Sequence, residues 1–361
     1  MNTSMNNDKI YWKSDKDAYN EALSYVYKRK VGEIKSFKTP WDKVNYFGVD
    51  GLEWNSLTLI AARSGVGKTM IKDQIVRDAC IFNKEKINIL EFQFEMLARS
   101  TKVREFSSVI DKSYKHICSA NTNIEGELTN DEYKKLHQYV QKKINEESNI
   151  HIDIIDTPCT IPQMVDIIER YMEVHSYIGK DKSGNDVKKY VNTVITLDHT
   201  YLVKQTDDES TKLEMLYDLG EMFTNLKRRF PIAFIALSQL NRNVEAPERA
   251  KEGTYANYLN TSDIFGADAL MQHSDLVIEI NRPSQFSIRW YGPEKYFIED
   301  ENVLVFHFNK CRTGSIGMSF FKAEYDKQKV IEIQTPKTKD NDTTGIDGHS
   351  QASKGIFTRR H

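Results

Sequence analysis

Cysteine is scarce in this 361-residue chain: Cys80, Cys118, Cys159 and Cys311 are its four cysteines, and no two of them form a C-x-x-C pair. The nine histidines add no H-x₃₋₅-H spacing beside them, so neither a disulfide framework nor a zinc module is indicated. Long apolar runs are lacking too. None approaches the ~20 residues of a membrane span, and residues 1–8 have no apolar secretory core. These absences point to a cytoplasmic protein with no membrane partner. An excess of one charge is also missing, since 50 Lys and Arg face 52 Asp and Glu for a formal net charge of −2. That balance argues against an all-over basic nucleic-acid binder and leaves room for a local basic surface, above all one lining a ring. With 39% hydrophobic and 28% charged residues, the chain has the length and composition for one large α/β domain with appendages.

Against these absences stands one dense motif. The apolar run Leu57-Thr58-Leu59-Ile60 leads into Ala61-Ala62-Arg63-Ser64-Gly65-Val66-Gly67-Lys68-Thr69-Met70, and a helical pattern follows over 68–83. A strand entering a glycine-bearing turn before a helix aims several backbone N–H groups, and the positive helix end, at one spot. That spot suits a polyphosphate. Lys68 supplies a point charge for the β and γ phosphates, and the Thr69 hydroxyl is placed to ligand Mg²⁺. Ala62 stands where G-x-x-x-x-G-K-[ST] has its first glycine.

Taken in order, residues 1–13 are polar and expected to be loose, and Ser14 with Asp17 makes an approximate capping box that starts a helix over 14–31. Its Ala18, Tyr19, Ala22, Leu23 and Val26 form an apolar stripe, which packs either on its own domain or on a neighbouring subunit. Strands are predicted at 86–95, 194–199, 232–239 and 276–280, with amphipathic helices at 161–174 and 213–230. Alternating helices and continuous apolar strands predict a parallel sheet covered on both faces. The stretch between Glu95 and Asp198 is expected to be mostly helical, with a helix starting near 128–132 and an exposed turn at 179–186. Two more strands, 303–310 and 317–325, flank a hairpin tip at Cys311-Arg312-Thr313-Gly314-Ser315. From Pro336 onward the polar composition predicts disorder.

In an open parallel sheet ligands sit at the carboxyl ends of the strands, and Glu95, Asp198 and Gln239 end strands on the edge of the phosphate loop. Nucleoside triphosphate hydrolysis needs a water-activating group, a carboxylate for the metal and a cation for the transition state. Glu95 is the candidate base, Asp198 the metal carboxylate, and Gln239 the group that senses the γ-phosphate. No cation besides Lys68 is obvious on this edge, which leaves Lys310 and Arg312 at the hairpin tip. In trans they would form an arginine finger at a neighbour's nucleotide. The plain alternatives are a surface acid at Glu95 and a solvated turn at 310–312.

The order of motifs, from the phosphate loop through Phe94-Glu95-Met96, Leu197-Asp198-His199, Leu237-Ser238-Gln239-Leu240-Asn241-Arg242 and Lys310-Cys311-Arg312-Thr313-Gly314, resembles the ATPase domain of the DnaB-type replicative helicases. This RecA-like group includes phage primase-helicases. The likeness runs from about residue 28 to 333. It implies an α/β, RecA-like P-loop core with a mainly parallel twisted sheet, an N-terminal linker helix and a C-terminal β-hairpin. It also implies ATP and Mg²⁺ as ligands: residues 62–70 as the nucleotide loop, Lys68 and Thr69 on phosphate and Mg²⁺, and Asp198 on the metal. Glu95 is then the catalytic base, Gln239 the sensor, and Lys310 with Arg312 the trans-acting finger. The helix over 14–31 looks like the linker helix that docks on the adjacent subunit and closes a hexamer. The expected layout is an N-terminal segment at 1–36, the ATPase domain at 37–335 and a tail at 336–361.

The expected activity is a hexameric ring that threads single-stranded DNA 5′ to 3′ and unwinds duplex at a replication fork, with a primase or loader as further partners. The rival class is a RecA-like recombination ATPase that forms filaments on single-stranded DNA without unwinding. Two departures bear on this reading. Only about a dozen residues precede Ser14, which points to a missing N-terminal helical domain and a phage origin. The loop after Asp263, Ile264-Phe265-Gly266-Ala267-Asp268-Ala269, carries no cation, so DNA phosphate contacts are expected from backbone amides, from Asn241-Arg242-Asn243, or from Arg249 and Lys251.

Overall fold

The computed structural model describes residues 12–339 apart from 120–125, 146, 182 and 210. Residues 1–11, expected to be loose, and the tail from 340 onward lie outside the described residues. Nine strands, β1 (Ser56–Ala62), β2 (Ile87–Gln93), β3 (Ile150–Ile155), β4 (Thr193–Asp198), β5 (Ile232–Gln239), β6 (Leu276–Asn281), β7 (Val303–Cys311), β8 (Gly317–Glu324) and β9 (Lys329–Glu332), make one sheet. Its order is β9-β8-β7-β6-β1-β5-β4-β2-β3. The six strands from β6 to β3 are parallel, and β7, β8 and β9 continue the sheet antiparallel.

The principal helices are α1 (Asp15–Lys30), α2 (Lys68–Arg77), α3 (Ala98–Ile110), α4 (Asn130–Asn145), α5 (Ile161–Val174) and α6 (Lys212–Arg229). Every residue of β1, β2 and β4 is buried, as a parallel sheet covered on both faces requires. Alternate side chains of β1 feed two cores. Leu57, Leu59 and Ala61 pack with Met164 and Ile168 of α5 and Leu219 and Phe223 of α6, while Ile60 and Ala62 pack with Ile71 and Ile75 of α2.

Three elements differ from expectation. The stretch between Glu95 and Asp198 is helical in α3, α4 and α5, yet it also holds β3, paired with β2, and a hairpin of Ser176–Lys180 with Asp186–Tyr190 around the expected turn. β3 reads Ile-His-Ile-Asp-Ile-Ile, an alternation typical of an edge strand with one wet face. At the other edge, β9 pairs with β8, a strand that the sequence reading did not place.

α1 starts where the cap predicts. The Ser14 Oγ accepts the Asp17 N–H at 3.1 Å, and no residue of the helix is buried. Tyr19 and Leu23 are each 71% exposed. Polar bonds tether the helix near its end: Arg29 donates to the Ser36 hydroxyl and the Val49 carbonyl, and the Tyr25 hydroxyl donates to Glu53. The apolar stripe itself has no partner among the described residues.

Candidate active site

In the parallel register Ala62 lies beside Gln239 and Gln93 beside Asp198, so β1, β5, β4 and β2 finish at one edge. Between Ala62 and Lys68 the chain turns through Gly65 (φ 77°) and Gly67 (φ 105°), a left-handed region that glycine enters without strain. Gly67 then caps α2. Ala62 is the last extended residue of β1 and needs no glycine, which accounts for the departure at the motif's first position.

A cavity of about 890 Å³ opens over this edge, lined by Gly67, Lys68, Thr69, Glu95, His199 and Gln239 among others. Lys68 is buried, and its Nζ donates to the Ala62 and Arg63 carbonyls at 2.8 and 3.2 Å. Burial lowers its pKa, while the nearby charges of Asp198 and Glu95 act in the opposite direction. Asp198 is 3% exposed, and its Oδ1 finds no hydrogen-bond partner among the described residues. A buried carboxylate oxygen left open near Lys68, at the sheet edge from which the phosphate loop leaves, fits a hard divalent cation. A lysine held on backbone carbonyls under a crown of turned glycines fits a polyphosphate. The residues present therefore suit a nucleotide with Mg²⁺, which Thr69 and Asp198 would hold.

Glu95 stands two residues beyond β2, exposed in the cavity. Glu91, the other acid of that strand, is committed elsewhere. It is 1% exposed and accepts from Lys72 Nζ at 2.9 Å and Gln93 Nε2 at 3.0 Å. Burial works against the charge on Lys72, but Asp73 and Glu91 outweigh it and hold its pKa above the usual lysine value. His199 follows Asp198 into the cavity wall, and burial lowers its pKa.

Not every loop residue points its side chain at the cavity. Val66 and Met70 pack into the core under the loop. Arg63 turns to the Leu240 carbonyl at 2.9 Å and to Glu245 at 2.5 Å, joining the phosphate loop to the segment after β5. Ser64 and Gly65 are exposed at the crown.

The expectation of no second cation on this edge is corrected by Arg104. It lines the cavity from α3 with Ser100 one turn earlier, and no hydrogen bond or ion pair ties it to the described residues. The i, i+4 spacing of Ser100 and Arg104 after Glu95 was the available signal. Tyr325, Asp326 and Gln328, from the turn between β8 and β9, also line it, and the Tyr325 hydroxyl donates to the Val66 carbonyl at 3.1 Å. Nothing local in the sequence marks these residues.

Lys310 and Arg312 are elsewhere. Cys311 pairs with Leu276, which pairs with Thr58 near the start of β1, whereas the phosphate loop leaves its end. At ~3.3 Å per residue the strand alone separates the two levels by roughly 13 Å. Lys310 Nζ donates to the Met271 carbonyl at 2.5 Å, and burial lowers its pKa. Arg312 donates to the Gln272 carbonyl at 2.6 Å and pairs with Asp275 at 3.3 Å, its side chain half exposed. Arg249 is not free for DNA either, because it forks onto both Asp263 oxygens at 2.9 Å. Arg242 and Lys251 remain exposed. No helix of the described residues is long and apolar enough to cross a membrane.

Comparison with known proteins agrees with this geometry. The replicative DNA helicase DnaB of Geobacillus stearothermophilus is 23% identical over 305 residues, 83% of this chain and 58% of that protein. The replicative DNA helicase DnaC of Bacillus subtilis (strain 168) is 23% identical over 314 residues, 86% and 60% of the two chains. This chain thus spans about three-fifths of the curated relatives it matches. Among solved structures, the ATPase domain of G40P superposes with a TM-score of 0.66 at 18% identity, covering 87% of this chain and 98% of that one. A DnaB-like replicative helicase described with its interactions with primase gives 0.65 at 18%, covering 87% and 67%. The fold is the expected RecA-like P-loop core. A model of the DnaB-like helicase C terminal domain matches residues 37–329, and the chain belongs to that family.

Proposed function

We propose that this chain is the ATP-hydrolysing motor of a ring hexamer that moves along single-stranded DNA, 5′ to 3′, and unwinds duplex at a replication fork in the cytoplasm. One observation carries the reading: Lys68, Thr69, Glu95 and Gln239 line one cavity and Asp198 ends its strand at the same edge of the sheet, while Arg312 stands at the other. A cation so placed reaches a γ-phosphate only from the adjacent subunit. The chemistry divides accordingly. Lys68 and the loop amides hold the phosphates, and Thr69 and Asp198 would hold a Mg²⁺ ion, which would supply positive charge against the phosphates. Glu95 accepts the proton of the attacking water, and Arg312 of the adjacent subunit meets the charge that spreads over the transferring group.

Arg63 and Gln239 give the nucleotide a route to DNA. Gln239 lines the phosphate cavity while its carbonyl accepts the Phe265 N–H at 2.8 Å, and Arg63 binds the Leu240 carbonyl. A shift at the γ-phosphate therefore pulls on the loop from 264 to 269. The exposed stripe of α1 supports docking on a neighbour, and a primase or loader belongs to the reading as a further partner.

Strand displacement on forked duplexes with each tail polarity tests the proposal. ATP-dependent unwinding that requires the 5′ tail supports it. Single-stranded-DNA-stimulated hydrolysis with no unwinding, and filaments in place of rings by electron microscopy, would favour the recombination class.

A further inference from the structure

Outside the nucleotide edge, one cluster combines two imidazoles with a carboxylate. His151 and Asp153 share a face of β3, since residues two apart on a strand point the same way, and His151 Nε2 lies 2.7 Å from an Asp153 oxygen. β3 is the sheet's edge strand. α5 runs back along it and delivers His175, its capping residue, to the same place. The two imidazole rings are 5.1 Å apart and tilted by 45°. One ligand atom from each of the three residues lies within 4.8 Å of the others.

We propose that His151, Asp153 and His175 bind a divalent transition-metal ion of the zinc type, with solvent completing a tetrahedron. The donor set decides the class. Imidazole nitrogen suits zinc, nickel or copper, whereas magnesium and calcium prefer all-oxygen shells. Donors about 2.0–2.1 Å from a tetrahedral ion stand ~3.3 Å apart, so atoms that lie within 4.8 Å of one another close by up to ~1.5 Å as the ion replaces the His151–Asp153 hydrogen bond. His151 is half exposed and can rotate to allow this.

The surroundings favour a bound ion. The Tyr171 ring packs 4.4 Å from that of His175. The buried Tyr171 hydroxyl faces the Asp153 carboxylate, and burial, the Asp153 charge and their hydrogen bond raise its pKa. A carboxylate that turns one oxygen to a metal offers the other to such a hydroxyl, the outer support that metal ligands use.

His151 pairs with Asn88 near the start of β2, so the cluster lies at the amino end of the sheet, away from Lys68. The ion would fasten the sheet's edge to the helix that follows it. His151 and His175 are too far apart in sequence for any short histidine spacing to reveal the site.

The test is titration of the full chain with ZnCl₂ alone in millimolar Mg²⁺, followed by calorimetry, metal analysis after dialysis and thermal unfolding. One zinc should be retained per protomer, with a higher unfolding midpoint. His151→Ala and His175→Ala should each weaken binding by about tenfold or more while leaving nucleotide binding intact. If a histidine variant fails to fold, Asp153→Asn carries the same test. No retained zinc, displacement of zinc by Mg²⁺, or unchanged affinity in the double histidine variant would overturn the proposal.

Discussion

At the scale of single residues, Lys68 makes with Ala62 and Arg63 the hydrogen bonds that a polyphosphate would take over. Glu95 is exposed in the cavity just past β2 and is the proposed base. Glu95→Gln should keep nucleotide binding and assembly while turnover falls by about 10²–10⁴, read by a phosphate-release assay beside a fluorescent-nucleotide titration. Undiminished turnover would remove Glu95 from the role, and Glu91 could not replace it, because Lys72 and Gln93 occupy its carboxylate. The placement of Lys68, Glu95, Asp198 and Gln239 at one edge of the sheet was legible in the sequence because each ends or follows a strand within a local motif. Arg104 and Tyr325 were not, since only packing of α3 and of the β8–β9 turn brings them to the cavity. Arg249 misled for the opposite reason: its partner Asp263 lies near in sequence, but nothing local tells that the pair is made.

At the scale of elements, the strands that bury both faces were legible because apolar runs are long enough to read. β3 and β9 escaped because short edge strands carry polar residues on one side. β7 makes a claim that can be measured. Its His307 is fully buried and bonded at 2.7 Å to the Tyr291 hydroxyl, and burial lowers its pKa to about 3. The unfolded chain takes this proton near pH 6.5 and the folded one does not, so the contribution is complete above that pH and is lost as pH falls. Between pH 7 and 5 the loss is about 2 kcal/mol. Denaturant unfolding over this interval should therefore show a steeper pH dependence for the native sequence than for His307→Gln, and equal slopes would mean His307 titrates alike in both states. α1 makes another. With no residue of its own buried in the chain, deletion of residues 1–32 should leave the sheet domain folded by circular dichroism yet loosen the oligomer. An unchanged mass by light scattering would assign the stripe to some other surface.

At the scale of the whole molecule, the sheet sets the two halves of the proposed chemistry at opposite ends of its strands. The phosphate loop leaves the carboxyl end of β1, and Arg312 leaves β7 level with the amino end of β6. Arg312 is a half-exposed side chain held by the Gln272 carbonyl and Asp275, and Asp275 keeps Lys227 as a partner when Arg312 leaves. Arg312→Ala should bind ATP nearly as the native chain does and lose on the order of 10³ or more in turnover. The most direct measurement mixes Arg312→Ala with Lys68→Ala protein, after subunit exchange has been confirmed, and follows ATP hydrolysis against the mixing ratio. Each variant supplies the half that the other lacks, so hydrolysis should rise above both parents at intermediate ratios. Mixtures that stay as inactive as the parents at every ratio would contradict a site shared between subunits.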